Sequence, residues 1–279
     1  MNVRRYSKHH IAISQKLYIS KIKEKYGLGD KTPHTPSIKD HAVTQDLGDS
    51  ATATEARAKR YRSLLGALLY CTLTRPDLAV TLSDLATVKR PTKAHEKLLR
   101  RSGDYVVSTP DLETHFRPRN DMRGHELVGY GDASFDTDPD TSRSRAGLVI
   151  TFCGCVVMRK AKYQPFVALS VAEAEYAAMN SVCVEVVWLR RVLADIGFAQ
   201  RSATPMYCDN TAAITLAKNS IATRTRTKHI LRRLHYIREQ VLAGKVKLLK
   251  ILGTENPADF FTKVLSKPQF LKWREYFIR

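Results

Sequence analysis

Apolar positions change period along the chain, and from residue 126 onward that change is regular. Residues 126–134 read as a strand, and 145–163 as two more strands turning at Gly154. Residues 170–196 carry the helical period and predict one long helix. A short buried strand (205–209), a short helix (210–218) and a helix over 228–242 stopped by Gly244 follow. A strand over 245–252 comes next, and Pro257 opens the last helical stretch. The resulting order, βββαβααβα, predicts an α/β fold with a mixed five-stranded sheet flanked by helices.

The first half follows a different grammar. Residues 5–13 alternate, and a short helix through Leu17, Ile22 and Tyr26 ends at Gly27, too little to fold alone. Residues 27–52 are polar, with Pro33, Pro36 and Gly48, and read as a linker. Two or three helices are expected over 55–107, with Tyr61, Leu64, Leu65, Leu68, Leu82, Leu85 and Leu98 as apolar positions. The chain therefore divides into an N-terminal piece (1–28), a linker (29–51), a small helical module (52–124) and an α/β domain (125–279).

Charge narrows the function classes. Forty-six Lys and Arg against 27 Asp and Glu give +19, a surplus that favours a polyanionic partner such as nucleic acid. No apolar run reaches the roughly 18 residues needed to cross a bilayer, so a membrane is not expected as partner. The basic first ten residues lead into no signal-peptide core. Five scattered cysteines are a poor disulfide framework and fit a reducing, intracellular compartment, with cytoplasm and nucleus not distinguished. Cys153 and Cys155 lack a second pair nearby and are not read as a zinc site.

The carboxylates carry the chemistry. Asp132 falls near the end of the first strand of the α/β domain and Asp209 at the end of a later one, so neighbouring strand ends would bring them together. Asp259 sits just after Pro257, in the first turn of the last helical stretch, where the helix dipole favours negative charge. On the long helix, Glu175 is centred on the apolar face with Val182, Val186 and Leu193, whereas Glu173 lies about 160° away and is expected in solvent, like Arg191. A carboxylate aimed at a core costs several kcal/mol unless paired or metal-bound. No Lys or Arg shares that face, so either a distant Arg or a metal held jointly with the strand-end aspartates must balance Glu175.

Five motifs in order then make the sequence recognisable: GYGDAS at 129–134, ALSVAEAEYAA at 168–178, YCDN at 207–210, TRTKHI at 225–230 and ENPADFFTK at 255–263. Residues 125–265 resemble the ribonuclease H domain of copia-type retrotransposon Pol polyproteins. SLLGALLYCTLTRPDLAV at 63–80 resembles their connection region, and ISQKLYISKIKEKYGL at 13–28 the tail of their reverse transcriptase. The resemblance implies a ribonuclease H-like fold and a catalytic, metal-binding quartet of Asp132, Glu175, Asp209 and Asp259. It also implies two Mg²⁺ ions, which Mn²⁺ can replace, and hydrolysis of the RNA strand of an RNA–DNA hybrid to 5′-phosphate and 3′-hydroxyl ends. Other parts of such a polyprotein are the implied partners. The family often has a second acid where Ser134 stands, a small polar residue where Gly131 stands, and a His in the loop before the last Asp, which GTENPAD lacks.

A basic helix face supplies the expected substrate handle. Arg226, Lys228, Arg232, Arg233 and Arg238 oppose an apolar stripe of Ile230, Leu234, Ile237 and Val241, and would meet phosphates. His229 and Asn210 join them as expected nucleic-acid contacts, although Asn210 is equally placed to cap the following helix. Arg143, Arg145, Arg159, Lys160 and Lys162 form a second basic set. A competing reading is a catalytically inactive, nucleic-acid-binding remnant, against which the intact quartet argues. No Y-x-D-D palm motif occurs, so polymerase activity is not expected.

Overall fold

The computed structural model describes residues 1–38, 54–118, 125–218 and 231–279, without the side chains of 216–218 and 231–234. Two compact units form, Met1–Arg117 with Val264–Arg279, and Pro118–Lys263.

In the first unit, an antiparallel sheet joins β1 (Asn2–Ser7), β2 (His10–Ser14) and β3 (Thr114–Phe116). Around it lie α1 (Lys16–Tyr26), α2 (Glu55–Cys71), α3 (Ala79–Thr87), α4 (Lys93–Ser108) and α8 (Lys267–Phe277). The expected helical module is thus present. Two features differ from the sequence reading: β3 completes a sheet with the 5–13 segment, and the last helix clusters here rather than with 125–263. Tyr105 links these pieces, packing edge-on against Phe270 of α8 while donating to the buried Asp77 at 2.6 Å.

The second unit is a five-stranded mixed sheet flanked by helices. Its strands, β4 (Leu127–Ser134), β5 (Arg145–Phe152), β6 (Cys155–Tyr163), β7 (Thr204–Cys208) and β8 (Val246–Lys250), lie in the order β6-β5-β4-β7-β8. The first three run antiparallel, while β4-β7 and β7-β8 are parallel. Cys153 (φ 51°) and Gly154 (φ 73°) make the tight turn between β5 and β6, where two consecutive left-handed residues match the twist of the strands. Three helices connect the rest: α5 (Val171–Asp195), α6 (Thr211–Lys218) and α7 (Leu231–Leu242). They share a core of Leu127, Leu148, Ile150, Val182, Val186, Met206, Ile214, Ile237 and Leu248.

Where the sequence suggested a single helical stretch from Pro257, the chain forms a 3-10 turn (Pro257–Phe261), breaks, and restarts as α8. Pro268, second in α8, and the extended Ser266 before it reset the chain direction there.

Candidate active site

Register brings the first two acids together. Tyr130 in β4 pairs with Tyr207 in β7, so two residues further along these parallel strands Asp132 and Asp209 stand side by side at the strand ends. Across β4's other edge, Asp132 faces Gly147 of β5. A Cβ on Gly147 would lie 2.5 Å from the Ala258 carbonyl and 2.7 Å from the Thr262 methyl, so only glycine lets the 3-10 turn carrying Asp259 lie against the sheet here. Glycine at position 131 has the same kind of cause on the helix side: a Cβ would meet Met179 Sδ at 2.7 Å. The close approach of Met179 at this point lets α5 bring Glu175 up to the strand end.

The quartet expected from sequence therefore converges. Asp132 is 5% and Glu175 4% exposed, and Asp209 and Asp259 are partly buried. Burial, with help from the nearby Asp132 and Asp209 charges, pushes the Glu175 carboxyl up to about 9. Burial also raises Asp132, to about 6, with Asp259 and Asp209 adding repulsion and a hydrogen bond from Thr262 opposing the shift. A backbone hydrogen bond from Ala133 steadies Glu175, and among the described residues no Lys or Arg pairs with it. Among the described residues, no distant arginine balances this group. Cys208 Sγ lies 3.9 Å from Glu175 Oε2, and Glu175, Cys208 and Asp209 offer ligand atoms all within 4.8 Å of one another.

The fourth carboxylate is held by residues to which the sequence reading gave no such role. Asn256, 1% exposed, donates through Nδ2 to the Gly131 carbonyl at 2.9 Å and accepts through Oδ1 from the Ala258 N–H at 3.1 Å. Thr262 Oγ1 donates to Asp132 Oδ2 at 2.7 Å and lies 3.1 Å from the Asp259 carbonyl. Arg145, 3% exposed, donates to the Thr262 carbonyl at 3.3 Å and also to Tyr163 Oη. This arginine is consequently a strut behind the site and unavailable to the second basic set. Lys263 forms an ion pair with Asp259, and although partial burial works against its charge, Asp259, Asp132 and Asp209 hold its pKa raised.

Glu173, expected in solvent, is only 6% exposed: it is the third residue after the cap Ser170, whose hydroxyl accepts from the Glu173 N–H, and its own carboxylate turns back to accept from the Leu169 N–H at 2.9 Å. Arg191 is exposed as expected. Asn210 caps α6, accepting from the Ala213 N–H at 3.0 Å. Arg226, Lys228 and His229 lie outside the described residues. Arg232 and Arg233 lie in the first turn of α7, their side chains also outside that description, while Ile237 of the apolar stripe is fully buried.

Sheet order, strand directions and the position of the carboxylates define a ribonuclease H-like fold. No family model matches the chain. Over 273 residues, 96% of its length, it is 34% identical to the retrovirus-related Pol polyprotein from transposon TNT 1-94 of Nicotiana tabacum, of which it spans 20%. Over 211 residues, 75% of the chain, it is 31% identical to the Pol polyprotein from transposon RE2 of Arabidopsis thaliana, spanning 14% of that protein. The chain is thus a homologue, over most of its length, of the Pol polyproteins of copia-type transposons. Among solved structures, LC11-RNase H1, isolated from compost, is 15% identical and aligns with 50% of this chain and 93% of its own, with a TM-score of 0.39.

Proposed function

We propose that the chain is the ribonuclease H part of a retrotransposon polyprotein and hydrolyses the RNA strand of RNA–DNA hybrids. One observation carries this reading: four carboxylates from four separate segments meet at a strand end, two of them buried, with Lys263 as the basic partner at hand. Burying like charges together is unfavourable without a cation. The donor set fits one well, being carboxylate oxygen throughout the quartet, which suits Mg²⁺ or Mn²⁺. When bound, two such ions supply charge neutralisation and water activation for in-line phosphodiester hydrolysis.

The protein's own residues prepare that chemistry. Asp132, Glu175, Asp209 and Asp259 would hold the ions. Thr262 fixes one oxygen of Asp132, and Asn256 locks the Asp259 turn to β4. The basic face of α7 and the residues just before it would take the phosphates, with groove shape and 2′-hydroxyls distinguishing hybrid from duplex DNA. The chain spans about a fifth of the tobacco polyprotein; on their motifs at 13–28 and 63–80 we assign residues 1–28 to the tail of a reverse transcriptase and 52–124 to a connection region. Hydrolysis would take place inside the cell. No helix among the described residues is long and apolar enough to cross a membrane.

A labelled hybrid incubated with the purified chain in Mg²⁺ or in EDTA tests the proposal directly. Cleavage should require the metal, and Asp209→Asn should abolish it while hybrid binding persists, because each carboxylate serves a shared site rather than an additive one. An Asn variant active within a few-fold of the parent would defeat the assignment.

A further inference from the structure

The quartet explains where cations would go but not how the metal-free protein tolerates four clustered carboxylates. Lys263 addresses that. It follows the 3-10 turn directly, four residues after Asp259, and its ammonium pairs with Asp259 Oδ1. Its side chain is about half exposed (52%), whereas that of Asp259 is 18% exposed and is held in a turn stitched to β4 by Asn256 and Thr262. Asp132 and Asp209 are close enough to act electrostatically on the same ammonium. The lysine is thus the more exposed partner of the pair, and Asp259 the more enclosed one.

We propose that Lys263 is a built-in counter-ion of the carboxylate cluster, occupying Asp259 in the metal-free protein and competing with the divalent ion for it. This rests on the metal-binding reading of the quartet. The consequence is a site kept from collapsing or repelling itself apart when empty, at the expense of divalent affinity. Removing one positive charge a few ångströms from a divalent ion, in a site partly screened by water, should tighten metal binding by about three- to tenfold.

Mn²⁺ binding to the full chain, followed by calorimetry without substrate, tests this. Lys263→Met should bind Mn²⁺ about three- to tenfold more tightly than the parent, and Lys263→Arg, which keeps the charge, should bind like the parent. In EDTA, Lys263→Met should melt below the parent, and saturating Mn²⁺ should close that gap; a merely structural lysine would leave it open. Lys263→Gln repeats both measurements where the Met variant is poorly folded. Unchanged or weaker Mn²⁺ binding in the folded neutral variants, or a melting deficit that persists at saturation, would overturn the counter-ion role while leaving the quartet intact. A parent and variants that all fail to bind Mn²⁺ would overturn both.

Discussion

Glu175→Gln offers a sharp test of the electrostatics because it removes an ionisable group with little change of shape. In the folded, metal-free protein the Glu175 carboxyl titrates at about 9 against an ordinary 4.5. The folded state therefore keeps a proton that the unfolded chain releases above pH 4.5. Unfolding releases that proton, so stability falls as pH rises from 4.5 and levels off only above about 9. Asp132, raised from 3.8 to about 6, adds a smaller loss over its own window. At about 1.4 kcal/mol per pH unit, the interval from 4.5 to pH 8 corresponds to a ceiling of about 5 kcal/mol for Glu175. Glutamine carries no such penalty and can still donate toward Asp132. Urea unfolding in EDTA should find the variant more stable than the parent at pH 8 by up to that amount, with the difference shrinking toward zero near pH 4.5. Saturating Mn²⁺ should raise the parent's stability and barely move the variant's. A difference of equal size at both pH values, or a variant less stable than the parent at pH 8, would refute the account of a carboxylate strained by burial and like charge.

Two further outcomes are expected. Asn256→Ala leaves the buried Gly131 carbonyl without its donor and uncaps the Asp259 turn, so it should cost about 1–3 kcal/mol in urea unfolding and weaken Mn²⁺ binding measured by calorimetry. Arg232→Ala with Arg233→Ala should raise KM for hybrid with kcat nearly kept, and flatten the salt dependence of log affinity by roughly 0.7 to 0.9 per lost phosphate contact; an unchanged slope would make that helix face merely solvated.

Much of the second unit was legible because its strands and helices have unambiguous periods, and turn signals such as Cys153–Gly154 fell where the periods break. The helical wheel put Glu175 on the buried face, where it lies, but misplaced Glu173. A wheel treats every residue as pointing radially, whereas a residue three after the cap can fold back onto the helix entrance; the Ser170-x-x-Glu173 spacing contained that signal. Asn256 was legible in the same way, as a cap one residue before Pro257. Thr262 and Arg145 were not, since their importance comes from contacts with residues 130 and 117 positions distant. Nor could spacing reveal that α8 belongs with the first unit: its apolar stripe says that a face is buried, not against what.

The Asp259 turn has a consequence for how the molecule comes into being. Every strand of the five-stranded sheet precedes residue 251, and by then three of the four carboxylates are already in the chain. The fourth arrives on a short turn that belongs to no strand and is fastened by a few side-chain bonds to residues made more than a hundred positions earlier. During synthesis the scaffold thus precedes the last of the four carboxylates, and under the function we propose the nascent protein would be silent until that turn docks. A protease cutting once between β8 and Pro257 would leave the sheet's five strands in one piece while severing Asp259 and Lys263 together from their chain.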